Sequence, residues 1–198
     1  MTRRLPLLAL PLLLAACATP PQSQPPQTLY HYQLGEGMDD RPLSFAQAVD
    51  RVRDADIVLV GELHSHPAVH LLQANLLAEL AGMSRADGRG LVLSMEQFTR
   101  ADQPVLDAYL AGRIGESTLI REGHAWPNYP SDYRPLVEFA KAQQLTVIAA
   151  NAPKPLVSCV GQEGPEWLDK LPASRRSQLA RELTLGDDGY RQKFMASM

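Results

Sequence analysis

The chain has 198 residues and a mass of 21.8 kDa, room for one good-sized domain and at most two. Hydrophobic residues make up 45%, too many for a disordered chain, and a net charge of -3 with a pI near 5.9 supplies no basic stripe for a nucleic acid. Two cysteines, Cys17 and Cys159, cannot build a disulfide framework or a zinc-finger cage.

Arg3 and Arg4 precede an apolar run from Leu5 to Ala16 that Pro6 and Pro11 interrupt. A membrane-spanning helix needs about 20 apolar residues, so the run reads as a secretory signal over residues 1–16. Leu14-Ala15-Ala16-Cys17 has the form of a bacterial lipobox, in which small residues precede a cysteine that is acylated and becomes the new N-terminus. Two or three acyl chains, at about 0.8 kcal/mol per buried methylene, anchor a protein stably to a bilayer. Ala18, in place of Asp, predicts sorting to the outer membrane of a Gram-negative bacterium. Loss of Arg3 and Arg4 leaves 19 − 2 = 17 basic residues against 22 acidic ones, a mature charge near -5, and Cys159 then has no partner cysteine. Residues 17–28 read as the lipidated cysteine and an extended tether, with Pro20, Pro21, Pro25 and Pro26 among Gln22, Gln24 and Gln27. The folded domain is expected over 29–198.

Leu29 to Leu34 is expected to form an edge strand. Ser44 caps a helix expected over Phe45 to Val52. Ile57-Val58-Leu59-Val60 is a continuous β-branched and aliphatic run, the pattern of a strand buried on both faces. Pro67 suits the first turn of a helix in which Val69, Leu72, Leu76, Leu80 and Met83 share one side. Leu91-Val92-Leu93 reads as the next strand, and Val105, Leu106, Tyr109 and Leu110 as the apolar face of another helix. Leu136, Val137, Phe139 and Ala140 make a further helical face before the strand Thr146-Val147-Ile148-Ala149. Alternating strands and helices predict an α/β domain, a mostly parallel sheet with helices on both faces.

Each of three strands is followed by polar groups: Gly61-Glu62-Leu63-His64, Ser94-Met95-Glu96-Gln97, and Asn151. In open α/β sheets ligands bind beyond the carboxyl ends of the strands, so these groups mark one candidate site. Any one of them alone would be read as a helix cap or loop residue; three together point to a site, because such groups are rarely buried without a partner. His66 and His70 project from one side of the helix that begins at Pro67, bordering its apolar stripe, near the positive end of the helix. Neutral imidazoles there suit a metal, but Glu62-x-His64 is not the helical His-Glu-x-x-His pattern of zinc proteases.

Val58-Leu59-Val60-Gly61-Glu62-Leu63-His64 with Pro67 and His70, Met95-Glu96-Gln97-Phe98 leading into Gln103-Pro104-Val105-Leu106-Asp107, and Ala149-Ala150-Asn151-Ala152-Pro153-Lys154 resemble the signatures of the ChaN-like haem-binding lipoproteins. Trp126, Tyr133 and Pro135 fit the aromatic stretch between the last two. The resemblance covers 29–198 and implies an iron-regulated, lipid-anchored protein of haem uptake, served by an outer-membrane haem receptor and not itself an enzyme. It implies ferric protoporphyrin IX held in a homodimer that encloses two stacked haems. A tyrosine then ligates each iron, and a histidine and a lysine from the other subunit approach the propionates. Tyr109, Tyr129, Tyr133 and Tyr190 are the candidate ligands, with Tyr133 favoured; the cofactor-binding set is Tyr133, His64, His70, Glu96, Asn151 and Lys154. Phenolate ligation stabilises ferric iron and is released by protonation or reduction.

Wider relatives of the fold, the erythromycin esterases and the Tiki-type metalloproteases, imply an alternative. His64 would activate a water while Glu62 and Glu96 orient it or hold a metal, making the protein a hydrolase. The sequence departs from the family at Ser65 and His66, where acidic and amide residues are usual. The family pattern also predicts further strands and helices beyond Met198, including a histidine-bearing strand end, so a shortened C-terminus is expected.

Overall fold

The computed structural model describes residues 28–37, 41–183, 186 and 189–197. The expected signal, Cys17 and all of the tether except Thr28 lie outside the described residues. No helix among the described residues is long and apolar enough to cross a membrane.

The expected edge strand at 29–34 is replaced by a turn, in which His31 N donates to Thr28 O and Tyr30 N to Thr28 Oγ1. The strand starts later: β1 (Leu34–Glu36) pairs antiparallel with β2 (Arg41–Leu43) as a small hairpin separate from the main sheet. Ser44 then caps α1 (Phe45–Val52) through a reciprocal capping box, its Oγ accepting from Gln47 N while Gln47 Oε1 accepts from Ser44 N. Pro67 opens α2 (Pro67–Ala86), where a missing N–H costs nothing, and His66 is its N-cap.

The main sheet is one parallel pair, β3 (Val92–Thr99) beside β4 (Thr146–Asn151), with Val92 opposite Thr146 and Met95 opposite Ala149. Between them the chain makes a 3-10 turn at Arg100–Asp102, α3 (Gln103–Leu110), α4 (Glu116–Glu122), a π-helical turn at Tyr129–Tyr133 and α5 (Arg134–Ala142). The Gln103 amide extends the ladder on β4: its nitrogen donates to Val147 O and its oxygen accepts from Ala149 N. After β4 come α6 (Lys154–Glu163), a 3-10 turn at Pro165–Lys170, α7 (Ala173–Arg176) and α8 (Gly189–Ser197).

The core forms on one face of β3–β4. Met95, Phe98, Val147 and Ala149 meet Leu77 of α2, Leu106 and Tyr109 of α3, Leu119 of α4, Tyr129 and Tyr133 of the π turn, and Leu136, Val137 and Ala140 of α5. Along the strands the alternate residues Val92, Ser94, Glu96 and Ile148 are exposed. The parallel pairing therefore matches the expected sheet, whereas the side chains of the described β3 and β4 are covered on one face. The helical faces expected in α3 and α5 are those that pack.

Two expectations change. The 57–60 run pairs with no strand among the described residues, and Ile57 and Leu59 are 78% and 91% exposed. A buried strand needs a neighbour on each side, and here a cleft of about 780 Å³ separates the run from β3. In α2 the residues most deeply buried are Ala68, His70, Leu77 and Ala81, whereas the expected stripe of Val69, Leu72, Leu76, Leu80 and Met83 is only half-buried. Leu76, Leu80 and Met83 line the cleft, so that stripe faces the unpaired run.

Candidate functional site

Glu62 is the centre of a polar cluster between the loop that follows the 57–60 run, the start of α2, the end of β3 and the π turn. Its Oε1 accepts from Tyr133 Oη at 2.7 Å, from His64 Nδ1 at 2.7 Å and from Gln97 Nε2 at 3.3 Å. Its Oε2 accepts from Gln73 Nε2 at 2.7 Å, with His70 Nδ1 at 3.9 Å. Burial pushes the Glu62 carboxyl up, but the bonds from Gln73, Tyr133 and His64 and the charge of His70 outweigh it and hold the carboxyl below its ordinary value. Glu62 is therefore a carboxylate that orients everything around it.

His70 is buried on the same cluster. Its Nδ1 faces Gln73 Oε1 at 3.0 Å, its Nε2 faces the backbone oxygen of His64 at 3.0 Å, and Asp132 Oδ2 lies 3.5 Å away. Because the Gln73 nitrogen is committed to Glu62, both His70 nitrogens face acceptor oxygens. Helical periodicity placed His70 at the edge of an apolar stripe; its partners instead draw it inward. His66 stays outside as the exposed N-cap.

The π turn brings Tyr129 and Tyr133 to the interior, both fully buried. Tyr133 donates to Glu62, and burial, then that bond, raises its phenol to about 12. Asn128, just before the turn, donates to His64 O at 2.8 Å and to Asp132 Oδ2 at 2.7 Å, tying the turn to the Glu62 loop. Trp126 stands edge-on to both rings, 5.0 Å from His64 and 5.8 Å from Tyr133.

Of the residues expected in the site, Glu62, His64, His70 and Tyr133 come together. Glu96 does not join them: it lies on the opposite side of β3 from Met95 and Gln97 and is exposed. Asn151 ends β4 opposite Thr99, and Lys154 is exposed in the first turn of α6; no contact among the described residues joins either to Glu62. The other candidate tyrosines stand apart. Tyr109 donates to Glu138 beneath the Lys141 ammonium, Tyr129 is buried with no hydrogen-bond partner for its hydroxyl among the described residues, and Tyr190 is exposed on α8.

Gln73, Asn128, Asp132 and Trp126 were not expected in the site, and Gln97 was expected there only as one of the polar groups at the second strand end. Strand alternation held a signal for Gln97, because it shares a face with Met95, and helical spacing held one for Gln73, three residues after His70. Asn128 and Asp132 depend on a π turn that no sequence pattern announces.

Among the described residues no group of three or more His, Cys, Asp or Glu is arranged to hold a metal ion. No curated protein and no solved structure matches the chain. The family model described as haem-binding uptake, Tiki superfamily, ChaN matches residues 48–198, a span that contains the whole Glu62 cluster. The chain belongs to this haem-binding uptake family.

Proposed function

We propose that this protein binds haem on the face built around Glu62, at the carboxyl edge of β3, and so takes part in haem uptake. The observation that carries the reading is the family match over residues 48–198. The donor chemistry of the cluster fits a haem iron, which when bound supplies a Lewis-acidic centre for an imidazole or phenolate. Glu62 accepts the Nδ1 proton of His64, which leaves the lone pair on Nε2 of a ring 58% exposed and flanked by Trp126. Tyr133 is the second donor, but its hydroxyl is held by Glu62 and its ionisation is opposed by burial. His64 would therefore be the residue placed to hold an iron, whereas Tyr133 could hold one only without its bond to Glu62.

The finer features of the proposal rest on the resemblance and on the lipobox. They are ferric protoporphyrin IX as the cofactor, a homodimer enclosing it, acylation of Cys17 with anchorage in the outer membrane of a Gram-negative bacterium, and an outer-membrane haem receptor as the partner. The test is a haemin titration of the full chain in detergent micelles, followed by absorbance and by size. A saturable spectrum with dimer formation is expected; a folded protein with no saturable uptake refutes the reading.

The 2.7 Å Glu62–His64 pair supports a second reading. A carboxylate-oriented imidazole on a largely exposed side chain is the geometry of a general base acting on water, as in a hydrolase. Hydrolysis of an ester or peptide panel that disappears in His64→Ala, in a preparation that takes up no haem, would replace the first reading with this one.

A further inference from the structure

The loop from α4 to the π turn, residues 123–128, carries Trp126 and Asn128 to the Glu62 cluster, and its start is fastened to a different place. Gly123 ends α4 where no side chain fits, since a Cβ there would meet Leu119 O at 2.6 Å. His124 follows with φ 49°, the left-handed position that closes a helix and that usually falls to glycine or asparagine. A residue with a long side chain stands there, and that side chain has a buried partner. Asp102, 9% exposed, accepts from His124 Nδ1 on Oδ1 at 2.9 Å. Its Oδ2 accepts from Thr99 Oγ1 at 2.5 Å and from Thr99 N at 3.3 Å. Thr99 is the last residue of β3, so one buried carboxylate joins the strand end to the loop. The His124 side chain is otherwise 77% exposed, and among the described residues Asp102 is the one hydrogen-bond partner of its ring.

We propose that His124 is a positioning residue of the candidate site: with Asp102 it latches this loop to the end of β3 and so holds Trp126 as a wall beside His64. Trp126 follows two residues later, half-buried and edge-on to His64 at 5.0 Å and to Tyr133 at 5.8 Å. Beyond it, Tyr129 N donates to Trp126 O at 2.9 Å, and Asn128 Nδ2 donates to His64 O at 2.8 Å. The far end of the loop is therefore tied to the Glu62 loop, and the near end to β3 through Asp102. The same three residues of β3 serve both: Gln97 donates to Glu62, which holds His64, while Thr99 donates to Asp102, which holds His124. Imidazole and indole are thus set against one common reference. A half-buried indole beside an imidazole offers flat apolar surface to a planar ligand such as a porphyrin, and in this consequence the inference rests on the haem reading. Without the latch the start of the loop is free, and the indole can leave His64.

Trp126 and Trp167 are the two tryptophans of the chain, so in a Trp167→Phe background the full chain in detergent micelles reports Trp126 alone by fluorescence. His124→Gly removes the ring and accepts the left-handed backbone, and His124→Asn accepts it too while placing an amide nitrogen where Nδ1 stands. The latch predicts that acrylamide quenches Trp126 of the folded chain more strongly in His124→Gly than in wild type, with His124→Asn like wild type. Haemin affinity should fall about fivefold in His124→Gly alone, the loss expected from one hydrogen bond. Unchanged shielding of Trp126 in His124→Gly overturns the inference, and any loss of stability would then make His124 only a brace of the fold. A His124→Asn chain that keeps Trp126 shielded but binds haemin as weakly as His124→Gly also overturns it, because Nε2 would then be the working atom. A wild-type chain that takes up no haemin refutes the haem reading, while the quenching comparison still decides the latch.

Discussion

Tyr133 Oη and His64 Nδ1 both donate to a single oxygen of Glu62, each at 2.7 Å. One carboxylate oxygen thereby decides the state of both candidate iron donors. It keeps the phenol protonated and buried, and it turns the lone pair of the imidazole outward. Charge-assisted bonds of this kind are roughly twice as strong as neutral ones, so removing the charge at Glu62 disturbs both donors together.

Glu62→Gln keeps the shape and removes the charge. One oxygen becomes an NH2 group, which must face donors from either Gln73 or the Tyr133, His64 and Gln97 set. A loss of about 1–3 kcal/mol is expected from the unmatched groups. Chemical denaturation measures it, and a change below a few tenths of a kcal/mol would mean that the cluster relaxes without cost. Haemin affinity should fall with stability, since His64 loses the partner that orients it.

The iron donor is separated by two variants. His64→Ala should reduce haemin affinity by tenfold or more and abolish the imidazole-type spectrum, whereas Tyr133→Phe should leave a saturable spectrum and lose about 1 kcal/mol of stability with the hydroxyl bond to Glu62. The reverse pattern, with Tyr133→Phe losing a phenolate band and His64→Ala keeping it, would assign the ligand to Tyr133. Asn151→Ala and Lys154→Ala should leave the spectrum of an isolated subunit unchanged, as neither side chain contacts the Glu62 cluster.

Stability should depend on pH through Glu62 with a definite sign. Its folded carboxyl titrates below the ordinary 4.5, so it contributes stability that is fully present above that value and is lost as pH falls through the lower folded value. Wild type and Glu62→Gln should thus differ most at neutral pH and converge in acid. For Tyr133, raised from 10.0 to about 12, the contribution is present below 10.0 and lost as pH rises through about 12. Ultraviolet titration should show one fewer late-ionising tyrosine in Tyr133→Phe.

Much of this fold is legible from local chemistry. Ser44 with Gln47, and Pro67 at a first turn, mark helix starts through groups within a few residues of one another. The faces of α3 and α5 follow because one core covers each. The 57–60 run shows the limit: its composition states that it prefers a buried strand, while burial itself depends on a neighbour far along the chain. The site divides in the same way. Glu62, His64 and His70 share one short stretch and were visible together, and Tyr133 came from the resemblance. Gln73, Gln97, Asn128 and Asp132 are ordinary polar residues until the fold aims them, and Glu96 is separated from Glu62 by the strand alternation that makes Gln97 its partner.

Tyr129 offers the opposite case to Tyr133. The two lie four residues apart in one π turn and are equally buried, yet the Tyr129 hydroxyl has no hydrogen-bond partner among the described residues, and burial raises its ionisation far above the ordinary value. A buried hydroxyl without a partner costs about 1–3 kcal/mol, and removing it restores that energy without opening a cavity of any size. Tyr129→Phe should therefore raise stability by about 1 kcal/mol, measured by denaturant unfolding, and leave haemin binding unchanged. A loss of similar size would mean that an ordered water joins Tyr129 to Glu116 Oε1, which also has no hydrogen-bond partner among the described residues. The contrast with Tyr133→Phe, expected to destabilise, rests on a single difference: one phenol hydroxyl meets a carboxylate and the other has no hydrogen-bond partner among the described residues.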